Sequence, residues 1–160
     1  MKVVLDADCL IKLTKSGIKE DVCRAFSITL PLAVKVEVVD RGKEKQFPDA
    51  FMVEKNLHEG LLQVKKYGKT GKRVDGEREA LDLFQRGGFD AIGSDDRRFI
   101  RQLILFDVPY ITPAVFIALM VKQGSMNIAD AHERLMKLSE YISDDEYTAV
   151  KLWLDSGRFT

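Results

Sequence analysis

The sequence predicts an α/β protein with a parallel sheet covered by helices on both faces. Short apolar runs alternate with amphipathic stretches, as strands alternate with helices in such folds. The composition is that of an ordinary globular domain, with 46% hydrophobic and 31% charged residues. A chain of 160 residues fits a single domain, residues 1–160, with a sizeable core.

The first part of the chain predicts two strands and two helices. Residues 1–6 form an apolar run typical of a buried strand. Ser16 can cap a helix that ends before the short strand "SITLP", residues 27–31. Pro31 suits the first turn of the next helix, which ends near Gly42.

The middle of the chain is harder to divide into elements. Residues 47–72 mix helical and extended patterns and exceed what a compact core needs, so we interpret them as an inserted segment. The glycines of residues 68–76 predict a loop. A helix follows, capped by Asp75 and ended by Gly87 and Gly88.

The remaining elements continue the alternation. Residues 89–94 predict a third strand, residues 95–107 a helix that begins at its tip, and residues 108–112 a fourth strand. C-terminal helices follow from about Pro113, the first of them ending at Gly124. Since ligands bind outside the carboxyl ends of strands in such sheets, the residues after each strand are the candidates for function.

The net charge, the cysteines and the length of the apolar runs limit which partners and which location the protein can have. The formal net charge is +0, so any contact with nucleic acid must come from a local patch. Cys9 and Cys23 are the only cysteines and are predicted to be small buried residues. No apolar run is long enough for a signal peptide or a membrane span, which predicts a cytoplasmic protein with no membrane partner.

Carboxylates follow the predicted strands at the positions where ligands bind. Two of them end the first strand, two follow the third strand, and the others lie early in helices. They are Asp6, Asp8, Glu37, Glu77, Glu79, Asp95 and Asp96. Two carboxylates about 4 Å apart repel by about 4 kcal/mol at an effective dielectric constant near 20, and a hard cation removes that cost. Oxygen ligands without histidine or cysteine suit Mg²⁺ or Mn²⁺.

Structural roles compete with metal binding for several of these acids. Glu79 can complement the positive end of its own helix, and Glu37 can be a solvated helix residue. Asp96 can cap the helix that follows it. Asp6 is harder to explain in this way, because a lone charge after a buried strand is costly without a partner.

Four stretches carry a resemblance to a known family. They are "VVLDADCLIKL", "LAVKVEV", "DGEREALDLF" and "AIGSDDRRFIRQL", in this order along the chain. The chain resembles the PIN domain, the metal-dependent nuclease domain of many prokaryotic toxins of toxin–antitoxin pairs. The later "ITPAVFIALMVKQGSMNIADAHERLMKLSEYIS" is similar to the C-terminal helices of one small PIN-like subgroup, so the resemblance covers nearly the whole chain.

The resemblance implies a three-layer α/β/α sandwich with four or five parallel strands, and RNA cleavage that depends on Mg²⁺ or Mn²⁺. A water activated by the ion would attack the phosphodiester in line, without a histidine base. The catalytic and metal-binding residues it implies are Asp6, Glu37, Glu77 and Asp95, with Asp96 as a second acid and Ser94 as the small hydroxyl residue before it. Asp8 departs from the family, which usually has a small polar residue at that position.

A basic loop is the candidate for RNA binding. Positive charge around an aromatic ring suits single-stranded backbone and base stacking, although a solvated loop would have the same composition. With Ser94, the candidate substrate-binding residues are Lys65, Lys66, Tyr67, Lys69, Lys72 and Arg73. Three arginines beside the acids can contact phosphates or pair with carboxylates: Arg97, Arg98 and Arg101. His58 and His132 are predicted to be surface or packing residues.

Two other functions and two protein partners remain open at this stage. A PIN-like module without useful catalysis could act through protein contacts, and a haloacid-dehalogenase-type phosphatase would also end its first strand with D-x-D. That phosphatase family has Gly-Thr soon after the second aspartate, where this chain has Cys9 and Leu10. A toxin role implies an antitoxin partner, and the "AVFIALMV" helix could serve either a homodimer or the core.

Overall fold

A five-stranded parallel sheet forms the centre of the fold. The structure, a computed structural model, describes residues 1–66 and 75–157. The strands are β1 (Lys2–Leu5), β2 (Ser27–Pro31), β3 (Leu62–Lys65), β4 (Ala91–Gly93) and β5 (Tyr110–Ile111). They lie in the order β3-β2-β1-β4-β5, with every neighbouring pair parallel.

Helices cover this sheet on both faces, which confirms the predicted α/β/α class. They are α1 (Ala7–Lys15), α2 (Lys19–Ala25), α3 (Leu32–Lys35), α4 (Arg41–Glu44), α5 (Pro48–His58), α6 (Gly76–Gln85), α7 (Arg97–Leu105), α8 (Pro113–Lys122), α9 (Ile128–Leu138) and α10 (Asp144–Ser156). A π-helical turn, Val36–Asp40, joins α3 to α4. Among the described residues, no helix combines the length and the apolar character needed to cross a membrane.

The core has two parts because successive residues of a strand point to opposite faces. In β1, Val3 and Leu5 belong to the larger cluster, together with the buried ring of Phe116 from α8. Val4 points the other way and packs with Phe99 of α7 in the smaller cluster. A strand buried on both faces explains why the chain begins with an unbroken apolar run.

One helix near the start was missed by the sequence prediction, and one cap was wrong. The apolar residues after Asp8 belong to α1, whose N-cap is Asp6. Ser16 is the C-cap of α1 and not the N-cap of the next helix, since its hydroxyl donates to the carbonyl of Leu13. Helix α2 begins later, after Ile18, without a side-chain cap.

The segment whose boundary the sequence did not reveal contributes a helix and an edge strand. Within residues 47–66, α5 buries Ala50 and Val53, and β3 pairs with β2. The predicted loop of residues 68–76 lies mostly outside the described residues. Gly42 allows α5 to pack closely, because an added Cβ would lie 2.8 Å from the Cβ of Ala50.

Helix α8 is largely a core element. Phe116, Ile117 and Met120 are almost completely buried within the chain itself. The core explanation therefore accounts for the apolar "AVFIALMV" pattern. Both cysteines are buried as predicted.

Candidate active site

Asp6 lies at the carboxyl end of the central strand and begins the helix that follows. Its backbone N–H donates to the carbonyl of Gly93 at 3.0 Å, which extends the pairing of β1 with β4 by one residue. Its Oδ1 accepts a hydrogen bond from the backbone N–H of Cys9 at 2.8 Å and so caps α1. These two bonds fix both the main chain and the side chain of Asp6.

The environment of Asp6 disfavours its charged form. Only 3% of the residue is exposed, and this burial raises the pKa of Asp6 to about 7. Hydrogen bonds from Ser94 and from the N–H of Cys9 lower the pKa, while the charges of Asp8 and Asp95 raise it. A cation near this carboxylate would be strongly favoured, because it would offset both the burial and the repulsion.

A small acidic cleft opens beside Asp6. Its volume is about 200 Å³. Its walls come from the end of β1 and the start of α1, from the π-helical turn, and from the starts of α6 and α7. The lining residues are Asp6, Ala7, Asp8, Ile11, Glu37, Asp75, Gly76, Glu77 and Asp96. Five of the seven acids singled out from the sequence therefore meet in one cleft: Asp6, Asp8, Glu37, Glu77 and Asp96.

Glu37 reaches the cleft from the π-helical turn, where its side chain is exposed. Such turns are rare and occur frequently at functional sites. An ion pair between Lys35 and Asp40, with Nζ and Oδ1 2.6 Å apart, spans the turn at a spacing of five residues. That spacing equals the i→i+5 interval of π-helical hydrogen bonds, so the pair is compatible with the turn that presents Glu37.

Glu77 lies at the start of α6, opposite an arginine. Asp75 caps the helix by accepting from the N–H of Glu77, as the sequence predicted. Burial raises the pKa of Glu77, and the neighbouring charge of Asp75 raises it further, whereas Arg98 lowers it. The guanidinium of Arg98 lies 3.3 Å from Oε2 of Glu77, so this arginine pairs with an acid of the cleft.

Asp96 caps the helix that follows it and also lines the cleft, so its role as a metal ligand stays a prediction. Its Oδ1 accepts from the N–H of Phe99 at 2.8 Å and caps α7, and the same residue lines the cleft. Its own N–H donates to the hydroxyl oxygen of Ser94 at 3.2 Å. Ser94 is fully buried and contacts both Asp6 and Asp96, so its hydroxyl orders the acids; substrate contact by Ser94 stays a prediction.

Asp95 is not among the residues that line the cleft, and it contacts a lysine that the sequence analysis did not identify. Its side chain is 9% exposed, and its Oδ2 accepts from Nζ of Lys12 at 2.6 Å. Lys12 also lies 2.9 Å from Oδ2 of Asp8, one helical turn before it. The other oxygen of Asp95, Oδ1, is buried and has no hydrogen-bond partner among the described residues.

Asp8, Lys12 and Asp95 alter one another's pKa values. Burial raises the pKa of Asp95 to about 6, and a hydrogen bond with Asp8 raises it too, while Lys12 lowers it. Burial opposes the ionisation of Asp8, but its bonds to Asp95 and Lys12 bring its pKa below the ordinary value. Burial would lower the pKa of Lys12, yet the bonds to Asp95 and Asp8 raise it.

Lys12 and Glu79 are the two residues whose roles sequence reasoning missed. The spacing of Asp8 and Lys12, four residues apart on a helix, was the available indication of an ion pair. Glu79 is buried and accepts from the backbone N–H of Ala33 at 2.7 Å, near the start of α3. It thus satisfies the N-terminus of a neighbouring helix, a long-range contact that no local pattern reveals.

The predicted RNA-binding residues are only partly described. The ammonium of Lys65 lies 5.1 Å from the ring centroid of Phe89, and Lys66 is exposed directly after β3. The other four lie outside the described residues: Tyr67, Lys69, Lys72 and Arg73. Neither histidine lines the cleft, since His58 is exposed on α5 and His132 pairs with Asp155 on α10.

The donor chemistry of the cleft fits a hard divalent cation. Its polar side chains are all carboxylates, and the buried Oδ1 of nearby Asp95 has no hydrogen-bond partner among the described residues. In residues 1–66 and 75–157, however, no three histidine, cysteine, aspartate or glutamate side chains are grouped closely enough to hold a metal ion. The acids line a shared cleft without forming a closed set of ligands.

One comparison with known proteins agrees with this arrangement. A family model described as a PIN domain matches residues 2–154, which is almost the whole chain. No curated protein matches the chain.

Proposed function

The chain belongs to the PIN-domain family, and from this premise we propose that it is a divalent-metal-dependent ribonuclease that hydrolyses RNA phosphodiester bonds. One observation carries the proposal: acids from four separate segments of the chain line one cleft at the carboxyl end of the sheet. The family assignment is the finding against the haloacid-dehalogenase alternative.

The residues of the cleft would each have a definite task. Asp6, Glu37, Glu77 and Asp96 would hold the cation in the cleft, and the charge of Asp95, which acts on Asp6, would add to the attraction for it. When bound, the ion would supply positive charge for the phosphodiester and acidify a water. The hydrogen bond from Cys9 keeps the carboxylate of Asp6 oriented, and Arg98 restrains Glu77. Both restraints reduce the reorganisation that substrate binding would otherwise require.

The test combines metal binding with cleavage. Thermal unfolding of the full chain should be measured without metal and with Mg²⁺ or Mn²⁺, and the same samples incubated with labelled single-stranded RNA. A ligand at about 100 times its dissociation constant adds about 2.7 kcal/mol to the free energy of unfolding, a rise of roughly 5–10 °C for a chain of this size. We expect this rise and metal-dependent cleavage in the wild type, and neither in Asp6→Asn.

Asp107→Asn is the matched control. It removes the same charge from an exposed aspartate with a positive φ of 53°, a conformation that asparagine tolerates well. It should behave as the wild type does. If metal neither raises the unfolding temperature nor supports cleavage in the wild type, the alternative of a PIN-like binding module becomes the better explanation.

A toxin role is a further step of the same proposal. An antitoxin that blocks such a cleft would have to present basic side chains to it, because the polar side chains of the cleft are acidic. A cytoplasmic location, where both RNA and an antitoxin are available, fits this role. Homodimer formation stays a prediction.

A further inference from the structure

Lys12 places a fixed positive charge beside the acids of the cleft. Its ammonium lies between two carboxylates, 2.6 Å from Oδ2 of Asp95 and 2.9 Å from Oδ2 of Asp8. The lysine side chain is 23% exposed and that of Asp95 is 9% exposed, so solvent screens this interaction less than an ion pair at the surface. Asp8 lines the cleft, whereas Asp95 is not among the lining residues.

This position matters for the number of ions that the site can bind. Nucleases with two metal ions hold them about 3.5–4 Å apart, so a second ion would need carboxylate ligands close to those of the first. The other acids that line the cleft are Glu37 of the π-helical turn, Asp75 and Glu77 at the start of α6, and Asp96, the N-cap of α7. On the α1 side, the carboxylates next to Asp6 are Asp8 and Asp95, and Lys12 contacts both. A second divalent ion on this side would have to displace the ammonium or lie against it.

We propose that the ammonium group of Lys12 takes the place of a second metal ion, so that the site binds one divalent cation per chain. The inference rests on the proposed metal site. In this arrangement Lys12 is a positioning residue: it holds Asp95 through their ion pair and supplies the charge that another ion would carry.

The experiment counts ions and does not depend on catalysis. Metal-free full-length chain would be titrated with Mn²⁺, and free Mn²⁺ followed by its electron paramagnetic resonance signal, which is lost on binding. We expect one ion per chain in the wild type and in Lys12→Arg, which keeps the charge. We expect two ions in Lys12→Gln, which removes the charge at similar length.

Lys15→Gln is the control for a general effect of charge, because Lys15 is an exposed lysine on the same helix. It should still bind one ion. Two ions in the wild type, or one ion in a Lys12→Gln variant whose circular dichroism is unchanged, would overturn the inference. If Lys12→Gln fails to fold, Lys12→Met also removes the charge and can replace it. The number of Mn²⁺ ions bound by the wild type tests the inference in either case.

Failure of the underlying metal site gives a different result. A wild type that binds no Mn²⁺, or an Asp6→Asn variant that binds as many ions as the wild type, would overturn the proposed function together with this inference. If Asp6→Asn loses the ion while Lys12→Gln still binds only one, the metal site stands and only the role of Lys12 is wrong.

Discussion

At the scale of single residues, the carboxyl group of Asp6 meets opposing demands. As an N-cap it accepts a hydrogen bond from Cys9, which favours the charged form. Its burial and the nearby charges of Asp8 and Asp95 disfavour that form, and together they outweigh the hydrogen bonds. In the metal-free protein, the ionised Asp6 is therefore a source of instability.

This conflict predicts how stability depends on pH. Folding raises the pKa of Asp6 from its ordinary value of 3.8 to about 7. Its contribution to stability is thus fully present below about pH 4 and is lost as pH rises through about 7. Three pKa units correspond to about 4 kcal/mol as an upper limit. Asp6→Asn, which can still cap α1, should remove most of this loss.

Urea unfolding in EDTA at pH values from 5 to 8 checks the prediction. The wild type should lose stability across this range, and the variant should lose clearly less. Asp107→Asn, which alters an exposed aspartate, should follow the wild type. Parallel curves for the wild type and Asp6→Asn would show that burial does not control the ionisation of Asp6.

Residues also differ in how far the sequence reveals them. Asp6 was predictable, because an acid that directly follows a buried strand needs an explanation. The contact of Lys12 with Asp95 was not, because these residues are 83 positions apart and only the adjacency of β1 and β4 brings them together. The contact of Glu79 with Ala33, 46 positions apart, was hidden for the same reason.

At the scale of secondary-structure elements, the close packing of α4 on α5 depends on a glycine. The Cα of Gly42 is so near α5 that an added Cβ would lie 2.8 Å from the Cβ of Ala50. That atom is attached to the backbone, so it cannot rotate away. Either helix would have to move to accept a side chain at this position.

Gly42→Ala should therefore destabilise the protein by about 1–3 kcal/mol, even though alanine is the better helix former by about 1 kcal/mol. Urea unfolding of Gly42→Ala, Ala50→Gly and the double variant forms a complete cycle. The double variant should be more stable than the sum of the single effects predicts, because the second change removes the clash. Additive effects would contradict the steric explanation.

Elements with short or mixed patterns were the ones that the sequence left unresolved. Strand β3, "LQVK", buries one of its four residues, as expected of an edge strand, so it lacks a clear alternation of apolar and polar residues. Helix α1 follows β1 with a single residue between them, so no turn residues separate the strand from the second apolar run that forms the helix. Longer elements with strong patterns, such as α6 and α7, were predicted well.

At the scale of the whole molecule, charge balance limits how RNA can bind. With 25 basic and 25 acidic residues, the protein has no general attraction for a polyanion. Because β3 is parallel to β1, the residue that follows β3, Lys66, lies at the carboxyl ends of the strands, as Asp6 does. RNA binding should therefore depend on a few lysines near the carboxyl ends of the strands.

Lys66→Gln is expected to weaken binding of single-stranded RNA and to reduce the slope of log affinity against log salt by about 0.7, the value for one phosphate contact. Fluorescence anisotropy in EDTA, at several salt concentrations, measures both quantities without cleavage. Lys2→Gln, at the amino end of the central strand, should leave the slope unchanged. Equal slopes for all three proteins would place the RNA contacts elsewhere.

The order of synthesis adds a consequence of the strand arrangement. β1, the central strand, leaves the ribosome before both of its neighbours, β2 and β4. Asp95 and Asp96 follow β4, so the cleft cannot assemble until about residue 96 has been made and has emerged. If the protein cleaves RNA, the nascent chain is inert during much of its own translation, and its messenger RNA is not exposed to a working nuclease until that point.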